Sequence, residues 1–153
     1  MTAPAHELVL DRLLAAPRAA VWRCWTEPDL LKQWYCPAPW TIASAQVDLR
    51  PGGASHIVMR SPEGEEFPNR GVYLEVEEGS RLVFTDAYTE AWVPSAKPFF
   101  TGIITLADEG AGTRYIARGR HWSAEDCETH DKMGFHEGWG KSADQLEALA
   151  ATL

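Results

Sequence analysis

From Trp40 to about Trp122 the sequence is cut into strand-length segments by turn residues, and everything after Ser123 follows a single helical period. Pro51-Gly52-Gly53, Pro62-Glu63-Gly64, Glu78-Gly79-Ser80 and Asp108 to Gly112 supply the turns of an antiparallel meander. The clearest alternation sets Val72, Leu74 and Val76 against Tyr73, Glu75 and Glu77, which predicts one buried and one wetter face. Six strands follow from these boundaries, and His6 to Leu14 adds a seventh. Met133, His136, Trp139, Ala143, Leu146, Ala150 and Leu153 then recur every three or four residues, with Glu137, Lys141 and Asp144 on the opposite side. This predicts one long amphipathic helix, for which Ser123 with Asp126 three residues on is the N-cap. The pattern is that of an α+β fold in which a curved antiparallel sheet grips one C-terminal helix. The gap between them is the expected functional site.

Ahead of the meander, Ala15-Ala16-Pro17 ends the first strand and opens a helix, because proline in a first helical turn forfeits no hydrogen bond. Val21 and Trp25 share a face of this short helix, with Trp22 beside them; both tryptophans are expected to pack it against the sheet edge. Thr26, with Pro28 just inside and Asp29 three residues on, reads as the start of a second helix carrying Leu30, Leu31 and Trp34. Pro37 and Pro39 end it. Thr89 to Lys97 is too polar and proline-punctuated for a strand, yet it holds Trp92. An aromatic on a long loop either pins that loop or guards an opening.

The 153 residues are expected to form one domain, 1–153. A net charge of −8, spread along the chain, disfavours nucleic-acid phosphates and anionic membrane surfaces, both of which need basic patches. No run approaches the roughly 18 apolar residues of a membrane span. The opening MTAPAHELVLDR lacks the basic start and apolar run of a secretory signal. Cys24, Cys36 and Cys127, an odd number without CxxC spacing, fit a reduced compartment, so the cytoplasm is the expected location. Seven tryptophans and five phenylalanines are the compositional excess, and such rings either fill a core or line a pocket.

Gly134, Gly138 and Gly140 sit inside the helical pattern, each at a cost of about 1 kcal/mol relative to alanine. Two readings stand open. The helix breaks or kinks near Gly138 into two shorter ones, or glycine lets its backbone approach the sheet or a bound molecule closely.

As a set, PRAAVWRCWTEPDLLKQWYCP, DLRPGG, GVYLEVEEGSRLVFTD, MGFHEGW and QLEAL resemble the START-like, polyketide-cyclase/lipid-transport superfamily. The branch is the one similar to the C-terminal domain of the activator of heat-shock protein 90 ATPase, and the resemblance runs from about Leu8 to Leu149. It implies a helix-grip: seven antiparallel strands, two short helices after the first strand, and a long C-terminal helix across the concave face. It also implies an apolar cavity between sheet and helix, which in many relatives binds lipids, sterols, plant hormones or polyketides and in a few supports catalysis. Fold likeness does not choose among these, since function belongs to the site.

His121, Cys127, His130 and His136 make no metal-ligand spacing, because His130 and His136 are six apart and point to different faces of a helix. No GxSxG, GxGxxG or GxxxxGK[ST] occurs, and Gly52-Gly53 is a hairpin turn. Neither metal nor cofactor is expected. What remains is a set of residues able to ring a pocket: Trp34, Trp40, His56, Tyr73, Phe84, Trp92, Phe100, His121, Met133, His136 and Glu137. His56 and His121 read either as hydrogen-bonded core or rim histidines or as groups orienting a ligand hydroxyl or carbonyl. Glu137 reads as a surface partner of Lys141 or, with the helix rotated slightly, as a desolvated acid or base facing the cavity. Trp139 reads as the anchor of the helix.

The leading expectation is therefore a protein that binds a small, largely apolar or aromatic molecule without catalysis. An alternative is a cyclase- or hydrolase-like enzyme using His56, His121 or Glu137, which requires two polar side chains converging on one spot. A third is a chaperone-associated interaction module; with no additional N-terminal domain in view, a chaperone partner is not expected. Nucleic acid and membrane insertion are not expected either, and a homodimer is left open.

Overall fold

The computed structural model of the chain describes residues 6–153. The segment 1–5, on which the reading of a missing secretory signal partly rests, lies outside the described residues. The elements run β1 (Glu7–Leu14), α1 (Arg18–Thr26), α2 (Pro28–Leu31), β2 (Thr41–Val47), β3 (Ala54–Arg60), β4 (Glu66–Glu77), β5 (Arg81–Thr85), β6 (Tyr88–Glu90), β7 (Val93–Pro94), β8 (Phe100–Glu109), β9 (Gly112–His121), α3 (Ala124–Lys132) and α4 (Phe135–Ala150).

Seven strands form one sheet in the order β1-β9-β8-β5-β4-β3-β2, every neighbouring pair antiparallel. The turns read from glycine and proline are the connections of this sheet, apart from the β1-to-β2 crossover that carries α1 and α2 and the β5-to-β8 connection that carries β6 and β7. Register shifts at Ile42/Ser44 and Tyr73/Glu75 mark irregularities where a strand bends. The second of them explains why Tyr73, read on the wetter face of β4, is instead buried beside Val72.

Helix α4 lies over α1 and β1, with Leu146 and Ala143 fully buried among Leu14, Val21, Leu31, Leu82 and Ile104. Polar bonds fix its position along the chain that follows α2: Ser142 Oγ donates to Tyr35 O (3.0 Å), and Gln145 Nε2 donates to Trp34 O and Cys36 O (both 2.8 Å). On its other flank Arg12 Nη1 donates to Gly140 O at 3.2 Å and pairs with Asp144. No helix of the described residues is long and apolar enough to cross a membrane.

Four local expectations are corrected. Helix α3 starts where expected, with Ser123 Oγ accepting from Asp126 N at 3.1 Å, but the helix is not continuous: it stops at Lys132, and α4 begins at Phe135. The break falls at Gly134, which takes φ +93°, and not near Gly138. The inward stripe of α4 keeps Trp139, Ala143, Leu146 and Ala150 but begins at Phe135, four residues before Trp139, so Met133 and His136 fall outside it, and Leu153 is exposed beyond the helix end. Thr26 closes α1 by donating Oγ1 to Trp22 O and does not cap α2, which starts after Glu27 and ends before Trp34. Finally, Thr89 to Lys97 is not strandless, since β6 and β7 pair there as a small hairpin.

Candidate functional site

Between the inner face of the sheet, the segment after α2 and the α3–α4 break lies a cavity of about 620 Å³. The β9 alternation positions one wall. Thr113, Tyr115, Ala117, Gly119 and His121 point inward, while the intervening Arg114, Arg118 and Arg120 pair with acids on the outer face. On the opposite side, α1 directs Trp25 into the cavity, and the tight turns after α2 present Trp34, Tyr35, Cys36 and Pro37.

These side chains pack as one aromatic wall. Trp25 stands edge-on to Trp34 (4.8 Å between centroids) and Tyr35 (5.9 Å) and tilts against Phe84 (5.7 Å). Phe84 leads to Phe100 (6.3 Å), and Phe100 to Trp139 (5.8 Å), which packs on Phe135 at 4.3 Å. Gly102 makes room for Phe84: a Cβ at that position would lie 2.3 Å from the ring. Trp34 is locked by its indole N–H donating to Cys24 O at 2.9 Å.

Polar residues also line the cavity, among them Ser55, Asn69, Arg70, Thr85, Lys97 and Ser142. Burial pushes the Tyr35 and Tyr115 hydroxyls far above the ordinary phenol range, so both stay neutral. The Trp25 N–H lies near enough to Tyr115 to oppose that shift, yet no hydrogen bond of acceptable geometry joins them, and Trp25 Nε1 is buried without a partner. Burial also raises the Asp86 carboxyl, against the pull of Phe99 N–H, which donates to both oxygens at 2.9 Å, and of Phe100 N–H at 3.3 Å. The Cys36 thiol is pushed up to about 11 by burial, far from the thiolate a nucleophile needs. His130, in the last turn of α3, is pushed down to about 4, by burial first and by His121 second. Among the described residues no three His, Cys, Asp or Glu side chains gather as a metal site requires.

Of the residues read from sequence, Trp34, Phe84, Phe100 and Met133 line the cavity, Met133 at its rim with 71% exposure. Tyr73 lines a small adjoining crevice with Trp25 and Phe84. His121 stands behind the wall, bonded to His130. His56 is used to tether the β6 strand, its Nε2 2.8 Å from Thr89 O. Trp40 packs on Phe67 away from the cavity lining, and Trp92, 59% exposed at φ +62°, packs over Gly52 and Tyr88. His136 and Glu137 are exposed on the first turn of α4, and Lys141 donates to Ala38 O (2.7 Å), not to Glu137. Trp25 and Trp139, read as packing residues, are also part of the lining. Sequence reasoning passed over Tyr35, Asp86, Phe99, Tyr115, His130 and Phe135 as lining residues.

Residues 15–151 match the family model described as Activator of Hsp90 ATPase homolog 1-like protein. Among solved structures, a protein from Nitrosomonas europaea is 45% identical, over 96% of this chain and 96% of its own, with a TM-score of 0.93. A Mycobacterium smegmatis protein is 27% identical, over 99% and 98% of the two chains, with a TM-score of 0.80. A protein described as AHSA1-like from Aeromonas hydrophila, at 19% identity over 95% and 92%, shares the fold with a TM-score of 0.74. No curated protein matches the chain.

Proposed function

We propose that this chain, which belongs to the Activator of Hsp90 ATPase homolog 1-like family, binds a small, largely apolar aromatic molecule between its sheet and its C-terminal helices. The observation that carries this reading is the cavity of about 620 Å³ with its continuous aromatic wall, a size and chemistry typical of small-molecule sites. Apolar surface predominates in its lining, with polar residues among it that include the exposed Arg70 and Lys97. Two neutral tyrosine hydroxyls offer hydrogens to a ligand oxygen, whereas the unpartnered Trp25 N–H is sealed behind the wall.

The enzymatic alternative asked for two converging polar side chains from His56, His121 and Glu137. His56 is held by Thr89 O, His121 by His6 O and His130, and Glu137 is exposed, which favours binding over that chemistry. The test is a titration with an apolar fluorophore that brightens in dry surroundings, followed by the quenching of tryptophan emission. Saturable one-to-one binding supports the reading. An absence of saturable binding up to the fluorophore's solubility limit counts against it.

A further inference from the structure

At the α3 end of the cavity two buried histidines share a hydrogen bond, His121 Nε2 to His130 Nδ1 at 2.8 Å, with the residues 7% and 8% exposed. The other nitrogen of His121, Nδ1, lies 3.0 Å from His6 O. A carbonyl only accepts, so His121 Nδ1 carries the hydrogen, and in a neutral imidazole Nε2 is then the acceptor. His130 Nδ1 must therefore donate, which leaves His130 Nε2 as a bare lone pair. Neither ring is bonded to a carboxylate among the described residues, so no counter-charge stands beside either, and burial favours the neutral form of His130.

That lone pair sits in an aromatic frame. The His130 ring lies 5.1 Å from Phe99, 5.2 Å from Phe100, 5.1 Å from Phe135 and 5.9 Å from Trp139, and it forms part of the cavity lining. Nε2 has no partner among the described residues and is not one of the sealed, unpartnered atoms of the interior. The other strong acceptor on this wall, Asp86, already has both oxygens engaged by backbone N–H groups.

We infer that the cavity selects aromatic molecules bearing a hydroxyl group, the hydroxyl donating to His130 Nε2 while the ring rests against Phe100 and Trp139. This rests on the proposed binding function and narrows its ligand class. A ligand that fills the same space without a donor would leave the lone pair dry and unpaired, so discrimination comes from the mismatch as much as from the bond. His121 acts as a positioning residue, fixing which nitrogen of His130 is free.

The test compares 2-naphthol, 2-methoxynaphthalene and naphthalene by fluorescence titration of the full chain at about pH 7.5, where neutral imidazole dominates. The expected result is a preference of about fivefold to tenfold for the naphthol over the ether, the size of one hydrogen bond. It should vanish in His130→Phe, which still binds the ether. Equal binding of naphthol and ether by the unsubstituted protein, or a preference that survives His130→Phe, overturns the hydroxyl reading and leaves cavity binding standing. Failure of all three probes to bind overturns both. If His130→Phe does not fold, long-range ¹H–¹⁵N spectra of the unsubstituted protein decide the matter: the proton belongs on His130 Nδ1, and a proton on Nε2 overturns the inference.

Discussion

Replacing Gly138 by leucine should make the protein more stable and a poorer binder at once. Gly138 lies in the first turn of α4, its N–H 2.7 Å from Gly134 O, and lines the cavity. A Cβ there would meet nothing nearer than Pro37 Cγ at 3.9 Å, so no neighbour has to move. Removing glycine from a helix gains about 0.5–1 kcal/mol. At roughly 2–4 °C per kcal/mol for a chain of this size, the melting temperature should rise by about 1–4 °C. The same side chain projects into space that a ligand needs, and affinity for the apolar fluorophore should fall at least about tenfold, or 1.4 kcal/mol. Gly138→Ala is the control, with the stabilisation and little of the obstruction. Thermal denaturation followed by circular dichroism and the fluorophore titration read the two effects separately. A leucine variant that binds like the parent would place the ligand elsewhere, and a melting temperature lowered by several degrees would mean that α4 does not pass Gly138 with open space beside it.

Gly102→Ala is expected to destabilise by about 1–3 kcal/mol, because its Cβ would press on the Phe84 ring; chemical denaturation checks this, and an unchanged midpoint would contradict the contact. For His130 the folded-state pKa lies below the unfolded value, so the folded state binds fewer protons as pH falls from about 6.5 to about 4, and stability is lost across that window. Denaturation midpoints against pH should show this acid limb flattened in His130→Gln; an unchanged limb would assign it to other groups. Asp86 has the opposite sign: its carboxyl is raised by burial, so the parent gains stability relative to Asp86→Asn as pH falls through the region just above the ordinary aspartate value. A difference between the two that does not change with pH would show that Asp86 is not desolvated.

Element order was legible because each signal is local. Turn glycines and prolines divide the sheet, and Ser123 with Asp126 begins α3. The break at Gly134 also left a local signal, Lys132-Met133-Gly134, the pattern of a helix end closed by a left-handed glycine. The stripe expected through Trp139, Ala143, Leu146 and Ala150 holds in α4, but carrying it back through the break counted Met133 and His136 as inward where Phe135 takes that side. Tyr115 was within reach, since the alternating arginines of β9 identify its inward face. His56 was not, because its partner Thr89 is 33 residues away and reached only through the β6–β7 hairpin. The wall formed by Tyr35 and Phe99 lies on irregular chain, where no period announces which way a ring turns.

The central claim is that the cavity holds a small aromatic molecule, and native mass spectrometry of the protein purified from its own host tests it most directly. The expected spectrum shows the chain with one additional small mass that is shed on collisional activation and is absent or depleted in Gly138→Leu. A retained molecule present equally in both proteins, or the bare chain mass in each under the gentlest ionisation, would contradict it.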